Sequence, residues 1–230
     1  MKRYGFLSIA LVAAITMGCN ANDSRDANAN NPSGSAVGTA GTNDRSATGG
    51  DRDFVRDVSM ANMAEIELGK LAAERGTNAE VKKFGQTMVD DHTKAGDKLM
   101  AIASQHSIQT ATELGDKHRD LREKLSNLKG AEFDREYIDA MVDEHEDVLD
   151  KLGSRVDQQS LEDYRTKLTD RAANEKVIAE VEATAITAEK SDNPVTQSIN
   201  QWAATSYPVV HAHHETAKKL QESLKKRMTN

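Results

Sequence analysis

The sequence predicts an all-α protein, a bundle of four long amphipathic helices with extra helices, preceded by a segment that stays outside the fold. Three observations lead there. The 230 residues are rich in Ala, Glu, Lys, Leu, Asp and Gln and only 4% are aromatic, a composition of helix formers with few β-branched runs. Apolar residues recur at helical spacing along four separate stretches. Capping residues, glycines and prolines punctuate those stretches where helices begin and end. The same composition excludes a β-sandwich, a Rossmann-type sheet and a polytopic membrane protein. The formal net charge of −7 argues against nucleic acid as a partner, because phosphates select basic surfaces. The length suits one or two domains.

The chain opens with Lys2 and Arg3, then an apolar run from Tyr4 to Met17 that ends at Gly18 and Cys19. A basic start, a short apolar stretch and a small residue at the cut form a secretory signal, here residues 1–18. The run is shorter than the ~20 apolar residues that a membrane span needs. Ile15-Thr16-Met17-Gly18-Cys19 resembles a bacterial lipobox, which implies a lipidated Cys19 and a membrane partner held through that lipid. Cys19 is the one cysteine of the chain, which excludes an intramolecular disulfide and a Cys-based zinc site. Asn20 stands where an aspartate would signal inner-membrane retention, so the expected location is the periplasmic side of the envelope, anchored in the outer membrane. Half of the fourteen glycines fall before residue 51 and none follows Gly153. Residues 19–51 therefore read as a disordered tether, too poor in apolar side chains to offset chain ordering. A flexible chain of that length spans roughly 30 Å.

The folded domain is expected over 52–228. Its first helix runs from about Asp53 to Arg75 and stops at Gly76. Thr77 and Glu80 have capping-box spacing and open a second helix to about His106. Thr110 and Glu113 repeat that spacing for a shorter helix ending near Gly130. A helix from about Ala131 to Val156 follows, then polar helical sequence from Ser160 to about Lys190. Asn193-Pro194 starts the last stretch, where Pro208 predicts a kink or a restart.

Two segments repeat. Phe84-x3-Met88-Val89-Asp90-Asp91-His92 matches Tyr137-x3-Met141-Val142-Asp143-Glu144-His145, and Val209-Val210-His211-Ala212-His213 is a fainter third copy. Three uneven copies of one helix are not a solenoid. Each long helix carries an apolar stripe with one ionisable interruption. Phe54, Val58, Ala61, Leu68 and Ala72 surround Glu65, and Val81, Met88, Ala95, Leu99 and Ile102 surround His92. Tyr137, Met141, Val148 and Leu152 surround His145; Ile199, Ala203, Ser206, Val210, Ala217, Leu220 and Leu224 surround His213. Buried ionisable groups need partners, so the four are expected to meet one another, a metal or water.

Several blocks together resemble one family. They are Phe54-Val55, Glu65-Ile66-Glu67-Leu68-Gly69-Lys70-Leu71-Ala72, Met88-Val89-Asp90-Asp91-His92, Phe133-Asp134-x2-Tyr137, Met141-Val142-x2-His145 and Pro208-x4-His213. Over about residues 53–225 the chain is similar to the bacterial exported "domain of unknown function 4142" family of the ferritin-like superfamily. The resemblance implies a four-helix bundle exported to the cell envelope and no established activity. The stretch from about Asp157 to Asn200 is longer than the family's usual connection, which leaves room for an extra helix pair.

Ferritin-like di-iron enzymes carry Glu-x-x-His on two helices. Here Val89, Val142 and Val210 stand three residues before His92, His145 and His213, so that pattern is missing. The residues support instead a mononuclear centre of Glu65, His92, His145 and His213, suited to Zn, Fe, Mn or Cu. Asp90 and Asp143 are the expected outer acceptors for the histidines. The alternative is a buried polar network that fixes helix register. Met88, Met141, Met60 and Met63 suit either copper or core packing. His211, His214 and Glu215 suit either a surface zinc site or a solvated helix face. No nucleophile elbow, phosphate loop or Cys/His zinc spacing is present, so no catalytic residue is expected. The charge runs Lys117 to Lys124 and Lys218 to Arg227 read as solvated faces. Two functions fit: a non-enzymatic binding or stress-related envelope module whose protein partner the sequence does not name, and a metal-binding or redox protein using the Glu/His cluster.

Overall fold

The computed structural model describes residues 46–173 and 186–227. The expected signal 1–18, Cys19 and most of the expected tether lie outside the described residues. Six helices follow in order: α1 (Gly49–Arg75), α2 (Ala79–Gln105), α3 (Asp116–Asn127), α4 (Gly130–Gly153), α5 (Gln158–Ala173) and α6 (Pro194–Lys226).

α1 begins four residues before the expected Asp53. Thr48 and Asp51 make the reciprocal capping box that starts it, and Asp51 is fully buried. The carboxylate of Asp51 accepts hydrogen bonds from Arg155 Nη1 and Thr196 Oγ1, both at 2.7 Å. Residues 48–51 therefore belong to the helical domain rather than to the tether, because a capped carboxylate with three kinds of donor holds them there. The expected box at Thr77 and Glu80 is replaced by an Asn78 cap. Thr77 is engaged elsewhere: its backbone N and hydroxyl, with Asn78 N, donate to Asp134 at the start of α4, at 2.5–2.9 Å. The expected cap at Thr110 fails too, since α3 begins at Asp116 after Gly115. Asn193 caps α6 with Pro194 in its first turn as expected, but the helix runs unbroken through Pro208. Both halves of α6 bury apolar residues, and that packing outweighs the one hydrogen bond a proline removes. Residues 186–190 are not helical; Val156 and Ala188 form an isolated antiparallel bridge there. Leu161 and Tyr164 of α5 are buried in the core, so the start of that helix packs on the bundle.

The four long helices form the bundle, with α1 against α2 and α4, and α6 against α4 and α2. One core cluster takes Phe54 to Ala61, Leu99, Leu152 and the first half of α6 to Val210. The other takes Leu68, Ala72, Val81 to Met88, Phe133 to Met141 and Ala217 to Leu224. This places the start of α1 and α6 and the end of α2 and α4 at one end of the bundle. Every neighbouring pair is then antiparallel, and α2 reaches the parallel α4 by one long crossover that carries α3. Four-helix bundles with one long crossover are an established connectivity.

α1 and α2 approach so closely at one point that only glycine fits. A Cβ on Gly69 would lie 2.8 Å from the carbonyl oxygen of Gly85, and one on Gly85 would lie 2.7 Å from that of Gly69. The glycine of the Glu-Ile-Glu-Leu-Gly-Lys block is thus the crossing point of the first hairpin, one turn from Glu65.

Candidate metal centre

The two core clusters leave one layer between them. On α1 it falls between Ala61 and Leu68, on α2 between Met88 and Leu99, on α4 between Met141 and Val148, and on α6 between Val210 and Ala217. Glu65, His92, His145 and His213 occupy that layer, each no more than 6% exposed. The ring centroids of the three histidines lie 5.4 to 5.7 Å apart. Phe84 closes one side, with its ring 6.4 Å from His213 and 6.5 Å from His145.

Each ring has one nitrogen held and one free. His92 Nδ1 lies 2.9 Å from Glu65 Oε2 and 3.3 Å from Asn62 Oδ1. His145 Nδ1 lies 2.8 Å from the Met141 carbonyl and 3.4 Å from Glu65 Oε1. His213 Nε2 lies 3.2 Å from Asp91 Oδ2. A carboxylate or carbonyl can only accept, so in each neutral ring the hydrogen sits on that nitrogen. The lone pairs fall on His92 Nε2, His145 Nε2 and His213 Nδ1, and these three buried atoms have no hydrogen-bond partner among the described residues. One nitrogen from each ring belongs to a set lying within 4.8 Å of one another. Around one ion, with bonds of about 2.1 Å, such nitrogens stand about 3.4 Å apart. The nitrogens of that set need to close by about 1.4 Å at most.

The structure brings all four expected residues together but gives Glu65 a different position from the expected one. Its carboxylate faces the Nδ1 atoms of His92 and His145, behind the rings, where it orients them rather than joining the nitrogen set. The expected outer acceptors Asp90 and Asp143 are exposed, and Asp90 bonds Gln86. Two residues along a helix is about 200° around it, which turns both away from their own histidine's face. The acceptors are Glu65, Asn62, Asp91 and the Met141 carbonyl. Asp91 sits beside His92 in sequence but serves His213 on α6. Its counterpart in the repeat, Glu144, likewise serves a histidine of another helix: His118 Nε2 lies 3.1 Å from Glu144 Oε2. The run Lys117 to Lys124 is therefore not wholly solvated, since His118 is buried and Lys117 pairs with Glu144 at 3.0 Å.

The electrostatics follow from burial. For His145 and His213 desolvation wins and lowers both, His213 to about 4 with help from the nearby His92 and His145 charges. His92 is desolvated as well, but the Glu65 charge and hydrogen bond outweigh that and raise it. At neutral pH His145 and His213 are neutral. Burial pushes the Glu65 carboxyl up, yet its histidine neighbours, His92 foremost, hold it well below the usual carboxylate range. Tyr137 is fully buried, its hydroxyl has no partner among the described residues, and burial together with the Glu65 charge pushes its phenol up.

The methionines of the repeat and the histidines of α6 outside the layer sit elsewhere. Met88 and Met141 are fully buried core residues. His211 packs on Tyr164 and Tyr207, with ring centroids 5.7 and 6.5 Å away, and His214 lies 3.9 Å from Glu215.

A cavity of about 240 Å³ adjoins the histidine layer. It reaches Glu65, His92 and His213 at one end and runs toward Val58, Leu152 and Trp202. Lys94 and Lys98 of α2 and Thr205 and Val209 of α6 mark its mouth along the seam of those helices.

A family model described as "Domain of unknown function (DUF4142)" matches residues 36–174. The chain belongs to this family. The matched part of the DUF4142 chain holds Glu65, His92 and His145, whereas His213 comes from α6, beyond the match. Comparison with curated proteins and with solved structures gives no match. Among the described residues of this DUF4142 protein, no helix is long and apolar enough to cross a membrane.

Proposed function

We propose that this protein is a metal-binding module of the bacterial envelope, exported by its signal segment and tethered through a lipid on Cys19. The metal reading rests on one observation: three buried imidazoles, from three helices, each have one nitrogen held by an acceptor and the other left without a partner among the described residues. A polar network built for register alone would satisfy those atoms on each other, since leaving a buried acceptor unpaired costs about 1–3 kcal/mol. Three neutral nitrogens favour Zn(II), Cu(II) or Fe(II) over Mg(II) or Ca(II), which take oxygen. Three protein ligands leave a position for an exogenous molecule, as catalytic zinc sites do and closed structural ones do not.

Elemental analysis of untagged protein that has met no chelator tests this reading. One equivalent of a transition metal is expected, with a rise in thermal stability on adding the ion, about 2.7 kcal/mol at a free concentration about 100 times Kd. Substoichiometric metal and an unchanged Tm would leave the register network as the role of the layer. The anchoring is tested separately: Cys19→Ala should move the protein from the membrane fraction to the soluble one. If it stays, something other than a lipid on Cys19 holds it.

A further inference from the structure

The cavity beside the histidine layer has a composition that selects its occupant. Its walls are mainly apolar, from Val58 and Ala61 on α1, Val148 and Leu152 on α4, and Trp202 and Val210 on α6, with Asn62 and Ser206 among them. Its inner end is polar, formed by Glu65, His92 and His213 of the histidine layer. Its mouth is cationic. Lys94 is paired with Asp91 at 3.2 Å, while Lys98 is exposed and has no ion-pair partner among the described residues. Val209 at the mouth is an exposed large aliphatic residue, 44% accessible.

We propose that this cavity binds a small organic monocarboxylate, whose carboxylate takes the open position of a metal held by His92, His145 and His213 while its apolar body lies along Ala61, Leu152 and Trp202. The inference rests on the metal reading above. Three neutral imidazoles leave a divalent ion its two positive charges. Glu65 and Asp91 offset those, and Lys94 and Lys98 restore a positive excess that selects an anion. Size sets the body: an apolar cavity of about 150 Å³ holds benzene, so 240 Å³ accommodates about ten non-hydrogen atoms. Hexanoate fits that description.

Trp202 is the one tryptophan of the chain and lines the cavity, so its emission reports entry directly. Zinc uptake is measured first, by elemental analysis of the dialysed protein, and the loaded protein is then titrated with hexanoate and with hexanol. The expected result is a saturable shift of Trp202 emission by hexanoate, weakened about tenfold or more for hexanol and again after removing zinc with a chelator. Ala61→Leu, which narrows the cavity, should keep zinc uptake and lose the hexanoate response. Lys98→Ala, at an exposed position, should weaken hexanoate several-fold. Failure of zinc uptake overturns the metal reading and this inference together. Zinc uptake with no saturable response, or with equal responses to hexanoate and hexanol, overturns this inference alone.

Discussion

Replacing Glu65 by glutamine separates a metal ligand from a residue that orients one. The substitution keeps the shape of a side chain only 2% exposed and removes its charge. Glu65 Oε2 lies 2.9 Å from His92 Nδ1 and Oε1 lies 3.4 Å from His145 Nδ1. A glutamine can still accept from one ring through its carbonyl, but its amide then presents N–H to the other ring's N–H. His145 is the less affected, because the Met141 carbonyl holds the same nitrogen at 2.8 Å. His92 should therefore lose basicity and orientation. Loss of such an outer partner lowers metal affinity about 10–100-fold, or about 1.4–2.7 kcal/mol. A zinc competition titration against a chromophoric chelator reads this directly, with His92→Ala as the reference for loss of a true ligand. An unchanged affinity would show that Glu65 does not tune the rings. A loss as large as that of His92→Ala would make Glu65 a ligand and refute the assignment to an outer position.

Other substitutions test the frame that carries the site. Gly85→Ala should destabilise the bundle by about 1–3 kcal/mol, as overpacking does, although helix propensity alone favours alanine by about 1 kcal/mol. The new Cβ would meet the Gly69 carbonyl oxygen, Ala72 Cβ and Ala73 N at 2.7–2.9 Å, none of which can rotate away; urea unfolding measures the loss, and a gain in stability would refute the crossing. Asp134→Ala removes the acceptor of Thr77 N, Thr77 Oγ1 and Asn78 N and should cost about 1.5–3 kcal/mol, the scale of hydrogen bonds to a charged group, read by the same unfolding curve. Asp51 predicts a pH dependence: burial pushes its carboxyl up, but hydrogen bonds from Thr196, Thr48 and Arg155 prevail and hold it below 3.8. Its stabilising contribution is then complete above the unfolded-state value near 3.8 and is lost as pH falls through the lower folded value. Acid unfolding followed by circular dichroism should show a shallower acid limb for Asp51→Ala than for the parent, and identical limbs would contradict the assignment.

Much of the site is legible in the order of residues, because helical periodicity assigns them to faces. The stripes through Glu65, His92, His145 and His213 are buried as their spacing requires, and Asn193-Pro194 opens α6 where its chemistry says it should. Periodicity is silent about what lies across from a face. It suggests Asp90 and Asp143 as partners of their own histidines, whereas the partner of His213 is Asp91, a residue of another helix. It likewise leaves His118 in a solvated run although Glu144 of α4 buries it. Local capping signals fail for the same reason at Thr77, whose hydroxyl is drawn away by Asp134, distant in sequence.

Residue order alone dictates an all-α chain of four long helices, each with one polar residue at mid-height, because repetition at 3.6 residues leaves no other way to bury those stripes. What the polar layer is depends on how the helices pack. Which nitrogen of each ring is free follows from the acceptor that neighbouring backbone or helices bring to the other nitrogen, and that is set by crossings such as Gly69 on Gly85. The same packing puts Glu65 behind the rings and ends a cavity on them, since the placing of helices against one another is a property of whole surfaces and not of any local run of residues.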